Sequence, residues 1–188
     1  FPVEKRLQLL SSQGIPAYRQ KMLGCFQCPV GCMLFCEIPD GKYAGVKGEG
    51  FWANTLVLST MLDLPEPDAV LTAWLRMNDL GLDTDFATAM IAWAFECYEK
   101  GLLSPQQTDG LNLEWGNADS VLKLIDKMAY RQGIGDLLAN APLDAARELG
   151  QGSEHFAIQV KGQPSVERFR VPRGWALGIA TSPVAGRH

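Results

Sequence analysis

The sequence predicts a mainly α protein: a multi-helix domain with an N-terminal cysteine-rich loop and little β structure. Three observations point there. From Thr55 onward apolar residues recur at helical spacing over several windows. Helix caps and stops punctuate those windows at Pro67, Thr84-Asp85, Gly101, Asn117 and Gly133. Strand-like alternation is confined to short pieces.

Residues 4–11 and 17–23 read as short helices, broken by Gly14-Ile15-Pro16. A cysteine loop runs from Cys25 to about Cys36, and the turn Glu37–Lys42 joins two short extended pieces. Thr55–Leu62 is apolar enough for a buried helix. Pro65-Glu66-Pro67-Asp68 then opens another, with Val70, Leu71, Trp74, Leu75 and Met77 on its face. Thr84-Asp85 caps a third, facing inward with Ala89, Met90, Trp93, Ala94 and Cys97, with Phe95 and Tyr98 on its flanks, and Gly101 ends it. Ser104–Asn112 is a polar loop. Asn117 or Asp119 caps a helix bearing Val121, Leu124, Ile125, Met128 and Ala129, and after Gly133-Ile134-Gly135 a last helix covers 136–149. His155–Lys161 alternates as a strand would, with Phe156, Ile158 and Val160 on one face, and Trp175–Ala180 is an apolar piece. The expected divisions are 1–48 (helices and cysteine loop), 49–150 (helical domain) and 151–188 (start of a following domain).

Composition narrows the function classes. The 188 residues are 47% hydrophobic and 20% charged, which is globular material. Lys+Arg 17 against Asp+Glu 21 leaves a net charge of -4, which argues against a general nucleic-acid or anionic-membrane surface. No apolar run approaches the ~20 residues that span a bilayer, and the first residues do not form a secretory signal. The chain starts at Phe1 rather than Met and stops at Gly186-Arg187-His188, so a piece of something longer is expected.

Of five cysteines, Cys25, Cys28, Cys32 and Cys36 crowd together, and only Cys97 follows. A disulfide scaffold spreads its cysteines to close loops. This pattern instead reads as a reduced, cytoplasmic protein with a local metal or cluster site, with Cys97 a buried thiol. The spacing CFQCPVGC lacks a nearby histidine and poorly suits a Cys2His2 zinc site. It suits a [4Fe–4S] cluster held from a tight loop, where Pro29 prevents a continuous helix and Gly31 permits a sharp turn. Zinc and plain thiols remain open on spacing alone. NDLGLDT, read by itself, is a helix end at Gly81 with Asp83 or Thr84 capping the next helix.

Several motifs occur together in one order: CFQCPVGC; NDLGLDT at Asn78–Thr84; AFECYEKGLL at Ala94–Leu103; TDGLNLEWGN at Thr108–Asn117; GSEHFAIQVKG at Gly152–Gly162; and PRGWALGIATSPVAGRH at the end. In this the chain resembles the tungsten-dependent aldehyde:ferredoxin oxidoreductases from Gly24 onward. The resemblance implies the helical second domain and the start of the third within a longer polypeptide. It implies a tungsten (or molybdenum) bis-molybdopterin that oxidises aldehydes to carboxylic acids, with a [4Fe–4S] cluster passing electrons to ferredoxin or another iron–sulfur carrier. A homodimer of the full-length protein is compatible with it.

By the same resemblance Cys25, Cys28 and Cys32 are cluster ligands, the fourth lies on chain beyond these residues, and Cys36 is a bystander. NDLGLDT is similar to the family's DxxGLD pterin-binding motif, with Asn78 at the position of the first Asp, Gly81 allowing close backbone approach, Leu82 beside it, and Asp83 accepting from pterin N–H groups. His188 matches a family histidine near the tungsten. Two departures stand out. GEGFWANT at Gly48–Thr55 puts Trp52 and Asn54 where the family's GPEYET-like stretch carries carboxylates, and Val184 replaces an Arg. A non-catalytic iron–sulfur electron-transfer or scaffold module of the same fold is therefore the alternative reading.

Overall fold

A computed structural model describes residues 3–51, 53–164 and 173–184. Eight α-helices run through these residues, so the mainly α architecture is present. Helix α1 (Val3–Leu10) and a 3-10 turn (Ile15–Tyr18) lead into a three-stranded antiparallel sheet of β1 (Arg19–Leu23), β2 (Met33–Glu37) and β3 (Lys47–Phe51) in sequential order. Then come α2 (Ala53–Leu62), α3 (Pro67–Asp79), α4 (Thr84–Glu99), α5 (Ala118–Tyr130), α6 (Ile134–Leu138) and α7 (Pro142–Leu149). A minimal hairpin, β4 (Gln159–Val160) with β5 (Gln163–Pro164), follows, and α8 (Arg173–Thr181) comes last.

Helices α3 and α4 are the centre of the core. On α3, Val70, Leu71, Trp74, Leu75 and Met77 are all buried, as their spacing predicts. On α4, Met90, Trp93, Ala94 and Cys97 are buried. Phe95, expected at the flank, is also fully buried, because Trp115 from the following loop closes over it edge-on at 5.5 Å. Each such aromatic contributes about 1.5–3 kcal/mol on burial. Trp93 keeps its indole N–H satisfied by donating to the Ser153 carbonyl at 3.1 Å, which ties α4 to the chain after α7.

Three helices end in the same way. After α3, the Gly81 amide donates to Asn78 O and the Leu82 amide to Met77 O; after α4, Gly101 donates to Tyr98 O and Leu102 to Cys97 O. After α5, Arg131 donates to Met128 O and Gln132 to Lys127 O. These are Schellman closures, which place one residue in the left-handed region. Gly81 and Gly101 do so without strain, whereas Arg131 adopts φ 50° and anchors its guanidinium on Asp136 at 2.7 Å.

Four local expectations are corrected. Residues 17–23 are not a helix: the 3-10 turn ends at Tyr18, and β1 is drawn into the sheet by pairing with β2. The cysteine loop ends earlier than expected, because β2 takes in Met33–Glu37 and with it Cys36. The helix over 136–149 is two helices, since Pro142 lacks the N–H that would continue α6 and opens α7 instead. The strand over His155–Lys161 shrinks to Gln159–Val160, preceded by a 3-10 turn at Ser153–His155.

Candidate functional site: the thiol hairpin and the turn between two helices

The antiparallel register pairs Met22 with Leu34 and Leu23 with Met33, so Gly24–Cys32 is the loop of a β1–β2 hairpin. All three motif thiols therefore sit at one end of one hairpin. Cys32 directly precedes β2, Cys25 lies two residues beyond β1, and a turn folds Cys28 back, with its amide donating to Cys25 O at 2.9 Å. Gln27 in that turn has φ 58°, a conformation costly for a residue with a Cβ. Gly31 has φ 59°, which is the sharp turn its sequence position predicts. Gly24 is held close as well: a Cβ there would stand 2.9 Å from Cys28 O.

Exposure separates the four cysteines. Cys25 and Cys28 are exposed and Cys32 is half-buried, whereas Cys36 is fully buried. Alternation along β2 explains the difference, since Leu34 and Cys36 point into the core while Met33, Phe35 and Glu37 face the other way. Burial pushes the Cys36 thiol up to about 11, although Arg19 opposes this. The Cys97 thiol is pushed up to about 12 by the same cause, with Glu96 adding to it. Neither is poised to become a thiolate.

Among the described residues, no three His, Cys, Asp or Glu side chains converge on one metal position. The donor set is nonetheless chemically apt for a thiolate-bound cluster: three cysteines on one short, exposed loop, with backbone already committed to tight turns.

The second group of residues lies where α3 passes into α4. Asn78 is exposed in the last turn of α3 and donates through Nδ2 to Glu49 O of β3 at 3.4 Å. Gly81 has φ 68°, and a Cβ there would meet nothing within 4 Å, so its backbone faces open space. Leu82 is half-buried against the core. Asp83 is the N-cap of α4, its Oδ1 accepting from the Phe86 amide at 2.8 Å. A carboxylate has further lone pairs, so capping and a second acceptor role are compatible. Strand β3, which pairs with β2, also packs on α3, so sheet and turn share one scaffold. Trp52 and His188 lie outside the described residues.

Reading the sequence alone overlooks Gly48 and Gly50 of β3. Their signal is the GxG spacing in GEGF, which leaves one face of a strand bare.

A helical domain that presents a thiol hairpin beside an interhelical turn is the class these features define. The chain belongs to the aldehyde ferredoxin oxidoreductase family, matching the family description "Aldehyde ferredoxin oxidoreductase, domains 2 & 3" over residues 3–188. It is 30% identical over 166 residues to the tungsten-containing aldehyde ferredoxin oxidoreductase of Pyrococcus furiosus, a match covering 87% of this chain and 27% of that protein. The Thermococcus kodakarensis protein of the same name matches to the same extent. A "WOR-like subunit" of aliphatic sulfonate oxidoreductase from P. furiosus is 28% identical over 142 residues, 73% of this chain and 23% of that one. Among solved structures, the active site complex BamBC of benzoyl coenzyme A reductase, with 1,5-dienoyl-CoA bound, superposes with TM-score 0.74 at 26% identity. That likeness covers 88% of this chain and 24% of the other. The chain thus spans about a quarter of the length of the relatives it matches.

Proposed function

We propose that these residues form the cluster-bearing helical part of a tungsten (or molybdenum) bis-pterin oxidoreductase that oxidises aldehydes to carboxylic acids. Ferredoxin or another iron–sulfur carrier would take the electrons. The observation that carries this reading is the family match across residues 3–188, which takes in both the thiol hairpin and the Asn78–Asp83 turn. When bound, the metal–pterin supplies the two-electron step and the [4Fe–4S] cluster the one-electron relay.

This chain's own residues would bind and orient. Cys25, Cys28 and Cys32 supply three thiolates from the hairpin end. Cys36 does not join them, because it is fully buried within β2, four residues after Cys32. At the turn, Gly81 gives backbone access, and the Asp83 carboxylate accepts from ligand N–H groups while its Oδ1 holds the first turn of α4. Asn78 occupies the first motif position as an amide and already donates to the β3 backbone, so its contribution to a ligand is through the carbonyl oxygen. His188 is the proposed catalytic group near the metal.

One observation favours the second reading, a non-catalytic iron–sulfur module of the same fold. By the resemblance, the GEGFWANT segment carries Trp52 and Asn54 at the positions of the family's carboxylates, which would serve as a proton acceptor, and its Glu49 falls earlier, on β3. Metal analysis of the full-length polypeptide tests the choice. Iron with tungsten or molybdenum, followed by aldehyde-dependent reduction of a ferredoxin, is the expected result. Iron and acid-labile sulfide without tungsten or molybdenum would establish the non-catalytic module instead.

A further inference from the structure

Strand β3 lies unusually close to helix α3, and two glycines make that approach. A Cβ on Gly50 would collide with Trp74 Cζ2 and stand 2.9 Å from Trp74 Cε2 and 2.7 Å from Asn78 Nδ2. A Cβ on Gly48 would stand 2.8 Å from Leu75 Cδ2. Neither glycine has positive φ, so space rather than backbone conformation demands them. The two obstacles differ in kind. The tip of Leu75 can rotate away, but Trp74 is fully buried and cannot give. Its indole N–H has no hydrogen-bond partner among the described residues, so shape and not polar pairing sets the position of this ring.

The consequence reaches both candidate groups. Gly50 is the register partner of Leu34 and Gly48 that of Cys36, on the strand that leaves the thiol loop. On the other side, Trp74 and Asn78 are one helical turn apart on α3, and Asn78 O receives the Gly81 amide that shapes the turn before Asp83. Asn78 also donates to Glu49 O between the two glycines, a bond that an aspartate at the same position could not make. Hairpin, strand, helix and turn are thus joined through one seam.

We propose that Gly50 is a positioning residue that seats β3 flush on Trp74 and Asn78, so that the thiol hairpin and the Asn78–Asp83 turn are held as one rigid unit. Resting on the function proposed above, the same seam fixes the distance between the cluster and the pterin that those two groups would hold. Rigidity matters there because electron transfer between two bound centres depends steeply on their separation, and packed interiors transmit small displacements.

The test is hydrogen exchange on the full-length polypeptide, comparing wild type, Gly50→Ala, Trp74→Phe, the double variant, and Leu124→Ala as a core control on α5. Gly50→Ala should speed exchange about tenfold at both the Gly81 and Leu82 amides and the Met33–Phe35 amides. Trp74→Phe makes room, so the double variant should exchange more slowly than Gly50→Ala. Leu124→Ala should lower the unfolding midpoint without this paired signature. If Gly50→Ala does not fold, Trp74→Phe alone decides, since the void it leaves should loosen both segments. Acceleration confined to β3, with Gly81 and Leu82 unchanged, would overturn the proposal. On metal-loaded protein, Gly50→Ala should also weaken the magnetic coupling between tungsten(V) and the reduced cluster seen by electron paramagnetic resonance, and unchanged coupling would count against it. Wild-type protein lacking both metals would refute the cofactor reading, while the exchange result would still decide the seam.

Discussion

The Asp83 carboxylate accepts a hydrogen bond from the Phe86 amide at 2.8 Å, and that bond opens helix α4. The residue proposed for ligand binding therefore also has a structural role. An alanine substitution would remove both at once and separate nothing.

Asparagine caps a helix about as well as aspartate but carries no charge and brings donors of its own. Asp83→Asn should thus hold the unfolding midpoint within about 0.5 kcal/mol of wild type while lowering tungsten and pterin content in the full-length protein. Asp83→Ala should lower content and also cost about 1 kcal/mol of stability. Metal per chain and thermal midpoint, measured on the same samples, check both. Full tungsten occupancy in Asp83→Asn would leave Asp83 as a cap alone.

The proposed roles divide the cysteines along the same line between structure and ligand. Cys36 is fully buried on β2, so Cys36→Ser places a hydroxyl in apolar surroundings at a cost of about 1–3 kcal/mol, with iron content unchanged. Cys28 is exposed in the hairpin loop, so Cys28→Ser should leave the folding midpoint of iron-free protein within about 0.5 kcal/mol and sharply lower bound iron. Iron per chain and chemical denaturation read the two effects. Iron lost from Cys36→Ser but kept in Cys28→Ser would reverse the ligand assignment.

How much of this was legible beforehand follows from range of interaction. The faces of α3 and α4 were readable because helical spacing is local and their apolar residues recur with it. The turn at Gly81 and a cap at Asp83 or Thr84 were equally local, and the structure selects Asp83. Strand β1 was not readable. Arg19–Leu23 is almost wholly exposed and lacks alternation, and only pairing with β2 makes it a strand. The inward turn of Cys36 follows from that same sheet, so a loop reading could not place it. Pro142, a helix breaker by its missing N–H, is the one local signal in 136–149 that divides α6 from α7. Gly48 and Gly50 gave only spacing, because what they make room for, Trp74 and Leu75, comes some 25 residues later.

Acid titration should single out Asp109, which links the loop before α5 to the far end of that helix. Its Oδ2 lies 2.9 Å from Lys127 Nζ and accepts from the Ile134 amide at 3.0 Å. The Lys127 hydrogen bond foremost, and then the Ile134 amide, hold this carboxyl below the usual aspartate value against a smaller opposing effect of burial. A depressed folded value means the contribution is present above the unfolded value, near pH 4, and is lost as pH falls through the folded one. Asp109→Asn should therefore cost about 0.5–1 kcal/mol at pH 7, and the gap to wild type should close below about pH 4. Urea denaturation at pH 7, 5 and 3 checks this. A gap that stayed constant across that range would show the carboxylate charge to be irrelevant.

The glycine facing that carboxylate yields the last expectation. Gly133 precedes α6 with φ 55° and ψ -129°, a positive-φ conformation outside the αL well that costs a side-chain-bearing residue about 1–3 kcal/mol. Space is short as well, because a Cβ there would collide with Asp109 Oδ2 and stand 2.6 Å from Asp109 Cγ and Oδ1. Alanine at 133 must therefore adopt an unfavourable backbone and also push the carboxylate off the Ile134 amide and Lys127. The two penalties are separable. In an Asp109→Ala background the obstacle is gone and only the backbone penalty remains, so Gly133→Ala should cost about 1–3 kcal/mol there and about 1 kcal/mol more in wild type. A double-mutant cycle by urea denaturation measures the difference. Equal costs in the two backgrounds would mean that Asp109 moves aside freely and that backbone conformation alone keeps glycine at this position.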